Sequence, residues 1–324
     1  MAKSQFANYT DCFEYATRNN PTDSTATTRK WRIRSNRYLR YDLDTMVYSL
    51  GSASVVEKRI LPDDSVEWLV TNSNGCVLYD GPSRIDGKRI VVILTGLTDD
   101  SENSKTGKML QTWIIRADRK PTIARQDGSD CSVCGDCPHR SGSCYVNLGQ
   151  GPRAVYDCWR SGKGYDSYDP ELHDAGIAGR MIRLGSYGDP AAVPIETFEP
   201  ILAVAAGHTG YTHQWAKTIG LAYRDICMAS VDTTEQADLA LSHGWRYFYA
   251  SPDTHAKRKG EINCPASIEA GQKTQCNNCT LCFGSGDGPG KGSCRTPSVF
   301  IVIHGNKAQK SIYYNRTAQA LAVV

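Results

Sequence analysis

The chain has no uninterrupted apolar stretch near the roughly 20 residues that a membrane span requires. Its first residues, MAKSQFANYTDCFEY, lack the basic-then-apolar plan of a signal peptide. Both absences point to the cytoplasm and away from a membrane. Charge of one sign is also scarce: 37 Lys and Arg against 34 Asp and Glu leave +3, too little to demand a nucleic-acid partner on bulk charge alone. Three catalytic signatures are missing. The sequence has no G-x-S-x-G, no H-E-x-x-H and no H-x-E with P-C-x-x-C, which argues against a serine hydrolase, a zinc protease and a zinc deaminase. KTGK (105–108) lacks the upstream glycine of a GxxxxGK[ST] phosphate loop.

What the sequence does have is cysteine, thirteen in all. In a reducing compartment these are metal ligands, catalytic thiols or small core residues rather than disulfide partners. Cys12, Cys76, Cys158 and Cys227 stand singly and read as core residues. The other nine form two knots, at 131–144 and 264–294. In the first, Cys131-x2-Cys134-x2-Cys137-x6-Cys144 surrounds His139. A two-residue gap lets a tight turn aim two thiolates at one ion, as in zinc knuckles and iron–sulfur loops. The second contains Cys276-x2-Cys279-x2-Cys282, with Cys264, Cys294 or His304 as a fourth ligand. Spacing does not separate zinc from an iron–sulfur cluster, nor one shared site from two.

Around the knots the texture differs. Residues 1–98 read as a polar arm followed by a small β-rich unit, with VEWLV, CVLYDG and RIVVILTGL as short strands between turn signals. Residues 99–324 read as α/β. RMIRLGSYGDP, YTHQW, ICMASVD and WRYFYAS are strands, while IETFEPILAVAAG and TTEQADLALSHG are helices, the latter with capping chemistry at Thr233 and Thr234. This alternation predicts parallel strands with crossover helices, as a partial or complete βα barrel or as an open sheet.

In such folds ligands sit at the C-terminal ends of strands. LGSYGDP ends one strand with Gly185, Gly188, Asp189 and Pro190; GHTGYTHQW supplies His208, Tyr211 and His213; ASVD supplies Asp232. Asp189, His208, Tyr211, His213 and Asp232 are therefore the expected catalytic face, with a tight capped turn as the alternative reading of Asp189. RKWRIRSNRYLRY interleaves Arg29, Lys30, Arg32, Arg34, Arg37 and Arg40 with Trp31 and aromatic neighbours, as single-stranded nucleic-acid sites do, or as a strand with a solvated basic face does.

A cysteine loop ending in CY, then a strand ending in Gly-Asp-Pro, then further β-α units resembles the radical S-adenosylmethionine enzymes. That resemblance implies a partial barrel, an iron–sulfur cluster on Cys134, Cys137 and Cys144 or on Cys131, Cys134 and Cys137, and S-adenosylmethionine met by Gly188, Asp189 and Pro190. The family's usual Cys-x3-Cys-x2-Cys spacing is absent here. The stretch from about 90 to 304 also resembles a group of uncharacterised bacteriophage proteins with CxxCPxxxxxxCY, RLGSYGDPAAVP, TGYTHQW and CPAS followed by CxxCxLC. The second knot with His304 is loosely similar to the zinc site of tRNA-guanine transglycosylases. The expected function is an intracellular metalloenzyme acting on a nucleotide or nucleic acid; the alternative is a zinc-stabilised nucleic-acid-binding protein without catalysis.

Overall fold

The computed structural model describes residues 74–98, 101, 103–162, 164–253, 255–286 and 296–303, and within 28–70 the backbone of five strands. Those five are β1 (Thr28–Ile33), β2 (Arg37–Asp42), β3 (Val47–Leu50), β4 (Ser54–Ile60) and β5 (Val66–Val70), an antiparallel meander in chain order. The remaining strands are β6 (Gly75–Pro82), β7 (Arg89–Thr95), β8 (Leu110–Arg116), β9 (Asp166–Ser167), β10 (Met181–Tyr187), β11 (Gly207–Thr209), β12 (Tyr211–Thr212), β13 (Met228–Val231), β14 (Tyr247–Ser251), β15 (Ile262–Asn263) and β16 (Val299–Val302). They form a six-stranded sheet ordered β11-β10-β8-β7-β6-β9 and a five-stranded sheet ordered β12-β13-β14-β16-β15. The architecture is mixed α/β with mostly parallel strands, and among the described residues no helix is long and apolar enough to cross a membrane.

The run IVVIL (90–94) is apolar throughout because β7 lies between β6 and β8 with both faces covered. Ile90, Val91, Val92, Ile93 and Leu94 are all fully buried. This ladder crosses residue 98: β7 pairs antiparallel with β8 from Ile90↔Arg116 to Thr95↔Gln111. Strands read from the sequence as the end of an N-terminal unit thus belong to the sheet that carries the first knot.

From β8 onward the strands run parallel and lie side by side in chain order: β8, β10, β11, then β12, β13, β14 and β16. Only Gly210 separates β11 from β12, where the chain leaves one sheet for the other. A Cβ there would stand 2.6 Å from the Ile226 carbonyl and 2.7 Å from Cys227 Sγ, so the close approach requires glycine. On the second sheet the alternation of strand side chains separates two faces. Ala229, Val231, Tyr247, Tyr249 and Phe300 pack with Ala237 and Ala240 of the helix Thr234–Ser242. Met228, Val299 and Ile301, with Tyr211 and Phe248, pack with Cys264 and Cys282 of the second knot.

The helix Thr234–Ser242 begins as its sequence indicates, with the Thr233 hydroxyl accepting from Gln236 N. IETFEPILAVAAG is shorter than expected: Ile195–Thr197 is a 3-10 turn and only Glu199–Val204 is α-helical. YTHQW is extended only at Tyr211–Thr212, because His213 and Gln214 turn away to bond Asp189 and Thr212.

The turn that closes β10 depends on two glycines with left-handed backbone. Gly185 (φ 66°) sits in a register shift against β8, and Gly188 (φ 87°) lies against Ile114. A Cβ on Gly188 would approach Ile114 Cβ to 2.6 Å and the Ile114 carbonyl to 2.7 Å. Gly188→Ala therefore combines backbone strain with overpacking, and the expected cost is about 2–4 kcal/mol. A thermal melt of the variant that coincides with the parent's would disprove this account of the turn.

Candidate metal and catalytic site

The first knot leaves the C-terminal end of β8 and folds over the C-terminal ends of β10, β12 and β13. Its anchor is Asp130, fully buried, whose carboxylate receives Arg125 and Arg140. Arg140 also donates to the carbonyls of Gly135 (3.0 Å) and Gly128 (2.7 Å), so one guanidinium laces the loop to its own backbone. Ser132 donates to Asp86 (2.6 Å) and receives Arg116 (2.8 Å). Asp189 N donates to the Val133 carbonyl at 2.7 Å, tying the knot to the turn after β10.

Asp189 is itself buried and its carboxylate accepts three hydrogen bonds: Oδ1 from Ala191 N (3.0 Å) and Thr212 Oγ1 (2.7 Å), Oδ2 from His213 N (2.8 Å). Burial raises its pKa, and the Thr212 hydroxyl is the largest of the interactions that counter this. Of the five expected catalytic residues, Asp189, His213 and Asp232 come together here. His208 and Tyr211 do not. His208 is buried, with Nε2 between the carbonyls of Ile226 (3.0 Å) and Phe283 (2.8 Å), and burial depresses its pKa. Tyr211 lies against Phe248 and the thiols of the second knot, where burial pushes its hydroxyl well up. Gly185, Gly188 and Pro190 shape the turn; Pro190–Ala192 is a 3-10 turn capped by Asp189.

Within the knot, Cys134 lies within electrostatic range of Cys137, Cys144 and Arg140, Cys144 of Cys137 and Arg125, and Cys131 of Arg116 and Arg140. Burial is the main cause that raises the thiol pKa values of Cys134, Cys137 and Cys144. Such thiols become thiolates when a cation joins them, since its charge reverses the cost of burial. Two further groups here were not expected from sequence. The Tyr187 hydroxyl, beside Cys134 and Cys144, and both polar atoms of the Gln214 amide are buried without a hydrogen-bond partner. Gln214 packs on Gly135, where a Cβ would come within 2.3 Å of its Nε2. Buried polar groups left unpaired are costly.

In the second knot Cys264, Cys276, Cys279 and Cys282 lie within electrostatic range of one another, but among the described residues no three of these sulfurs stand within 4.8 Å of one another. Cys294 and His304, the other candidates for fourth ligand, lie outside the described residues. KTGK backs this knot: Cys276 N donates to the Lys105 carbonyl (2.8 Å) and Asn277 N to the Thr106 carbonyl (3.2 Å). Arg246 is buried beneath it. Its guanidinium donates to the carbonyls of Leu281 (2.8 Å), Thr296 (3.0 Å), Pro297 (3.0 Å) and Gly284, stacks on Phe283 at 5.0 Å, and feels the Cys282 charge. Burial without a carboxylate partner among the described residues lowers its pKa. Of the single cysteines, Cys76 and Cys227 are fully buried in the core, Cys158 is half-buried, and Cys12 lies outside the described residues.

His139 is the residue that sequence reasoning left out of the catalytic face. Its Nε2 lies 3.1 Å from Asp232 Oδ1, and its ring meets that of His213 edge-on at 5.5 Å. Its position two residues after Cys137, inside the knot, is the only signal the sequence offers. Of the basic stretch, Arg29, Lys30, Trp31 and Arg32 fall on β1 and Arg37 and Arg40 on β2, with Lys30 opposite Arg40; Arg34 lies outside the described residues.

Asp189→Ala would strip an acceptor from three donors at once, and the expected loss is about 2–4 kcal/mol of stability. An unchanged melting temperature would return Asp189 to a purely chemical role. In comparisons with known proteins, no family model, no curated protein and no solved structure matches the chain.

Proposed function

We propose that the chain is a metalloenzyme built on a partial βα barrel, with an iron–sulfur cluster on Cys134, Cys137 and Cys144 and a second, structural metal on Cys264, Cys276, Cys279 and Cys282. One observation carries the reading: the first of the parallel strands in chain order emits the knot, which brings the buried Cys134, Cys137 and Cys144 to the C-terminal strand ends, with Cys134 and Cys144 beside the Tyr187 hydroxyl and Gly135 against the Gln214 amide. Three thiolates leave one iron of a cubane cluster without a protein ligand, and that iron supplies one-electron chemistry when the cluster is bound. Tyr187 and Gln214 would then donate to the cluster's sulfurs, and Asp130 with its two arginines would hold the loop's shape and balance its charge.

The order of strand, cysteine loop and SYGDP strand follows the layout of the radical S-adenosylmethionine enzymes. Asp189 departs from it. Its carboxylate already serves three donors of its own turn, so this side chain supports the turn rather than an incoming methionine amino group. For the substrate we infer a nucleotide or nucleic acid, supported by the basic residues that β1 and β2 place in register. The second reading, a zinc-stabilised nucleic-acid-binding protein, is favoured by one feature: the second knot's four thiols and buried Arg246 suit a closed structural ion.

Anaerobic purification with metal and sulfide analysis tests this. The expected protein is brown, holds iron and sulfide in near-equal amounts, and bleaches with dithionite. Cys134→Ser, Cys137→Ser and Cys144→Ser should each lose the colour and Cys131→Ser should keep it. A colourless protein carrying zinc alone would overturn the cluster. The second reading then predicts nucleic-acid binding that weakens steeply with salt and disappears when Arg32, Arg34 and Arg37 are neutralised together.

A further inference from the structure

Beside the cysteine knots stands a cluster of ligating side chains that contains no sulfur. His139 comes from the knot loop after β8, His213 directly follows β12 and Asp232 directly follows β13, so the knot and the ends of two neighbouring strands converge on one point. We propose that His139, His213 and Asp232 form a mononuclear site for a first-row divalent metal, separate from the thiols.

Among the described residues, these three offer ligand atoms that all lie within 4.8 Å of one another. His139 Nε2 is 3.1 Å from Asp232 Oδ1, and His213 Nε2 is 3.9 Å from Asp232 Oδ2. The second distance is too long for a hydrogen bond. It is a separation that one ion can bridge after a small inward movement, since bonds to imidazole nitrogen and carboxylate oxygen are about 2.0–2.2 Å.

The supports behind the trio are those a metal site needs. Ser143 Oγ meets His139 Nδ1 at 2.9 Å, which turns Nε2 toward Asp232. The His213 backbone N–H is held by the buried Asp189, and the Asp232 backbone N–H by Gln236 Oε1 at 2.8 Å. The side chains are shielded but reachable, 20%, 21% and 10% exposed for His139, His213 and Asp232. Two imidazoles and one carboxylate suit iron(II), zinc, manganese or cobalt rather than magnesium or calcium, and three protein ligands leave positions open for water or another oxygen donor.

The probe is cobalt(II), added to full-length protein given only as much zinc as its thiol sites take up, with excess zinc removed and zinc per chain measured, so the result is independent of the iron–sulfur reading. The expected outcome is one further cobalt per chain, with weak ligand-field bands, no intense thiolate-to-cobalt charge transfer, and two paramagnetically shifted imidazole N–H protons. His213→Gln and Asp232→Asn should each weaken that binding at least about tenfold. Absence of additional cobalt would overturn the site. So would bound cobalt without shifted imidazole protons, or with thiolate charge transfer that Cys137→Ser removes. The proton spectrum of the unmodified protein decides the matter even if a variant fails to fold.

Discussion

The arrangement at the strand ends depends on the Asp189 carboxylate. It is buried, it accepts from residues on the turn after β10 and at the end of β12, and its own backbone N–H reaches into the first knot. A carboxylate can hold these together because it has two oxygens and no competing donor, and because burial keeps water from replacing the partners. The same burial raises the cost of losing any of them. His213 takes its place because its N–H belongs to Asp189, and the Val133 hydrogen bond fixes the height of the knot above the strands.

Charge balance explains why the two knots are built differently. In the first, two arginines meet one buried aspartate, so the cluster keeps one positive charge beside the thiols. In the second, Arg246 meets only carbonyls and a ring among its described contacts, with the Cys282 thiol in electrostatic range. A guanidinium stays charged under any ordinary condition, and burial without a carboxylate partner lowers the pKa of Arg246. The two knots also meet different surroundings. One lies over the strand ends and the other lies against the sheet face formed by Met228, Val299 and Ile301.

Gly210 connects these two environments. Its N–H donates to the Cys282 carbonyl and its carbonyl accepts Met228 N, so the point where one sheet gives way to the next is bonded to the second knot. His208 and Tyr211, one on each side of this crossing, are drawn to the backbone and to the thiols respectively. Sequence reasoning grouped them with His213 because all three lie within nine residues. The sheet separates them because successive strand residues point to opposite faces and the chain turns at Gly210.

The sequence by itself determined the α/β alternation, the two cysteine clusters, the glycine-dependent turn after β10 and the Thr233 cap, because each rests on local patterning or on spacing along the chain. The tertiary structure decided which cysteines sense one another and which polar groups are buried without partners. It also decided that β6 and β7 join the main sheet and that His139 meets His213 and Asp232. Those features depend on residues up to 93 positions apart coming within hydrogen-bond reach, as His139 and Asp232 do. Only the register and curvature of the sheets can supply that proximity.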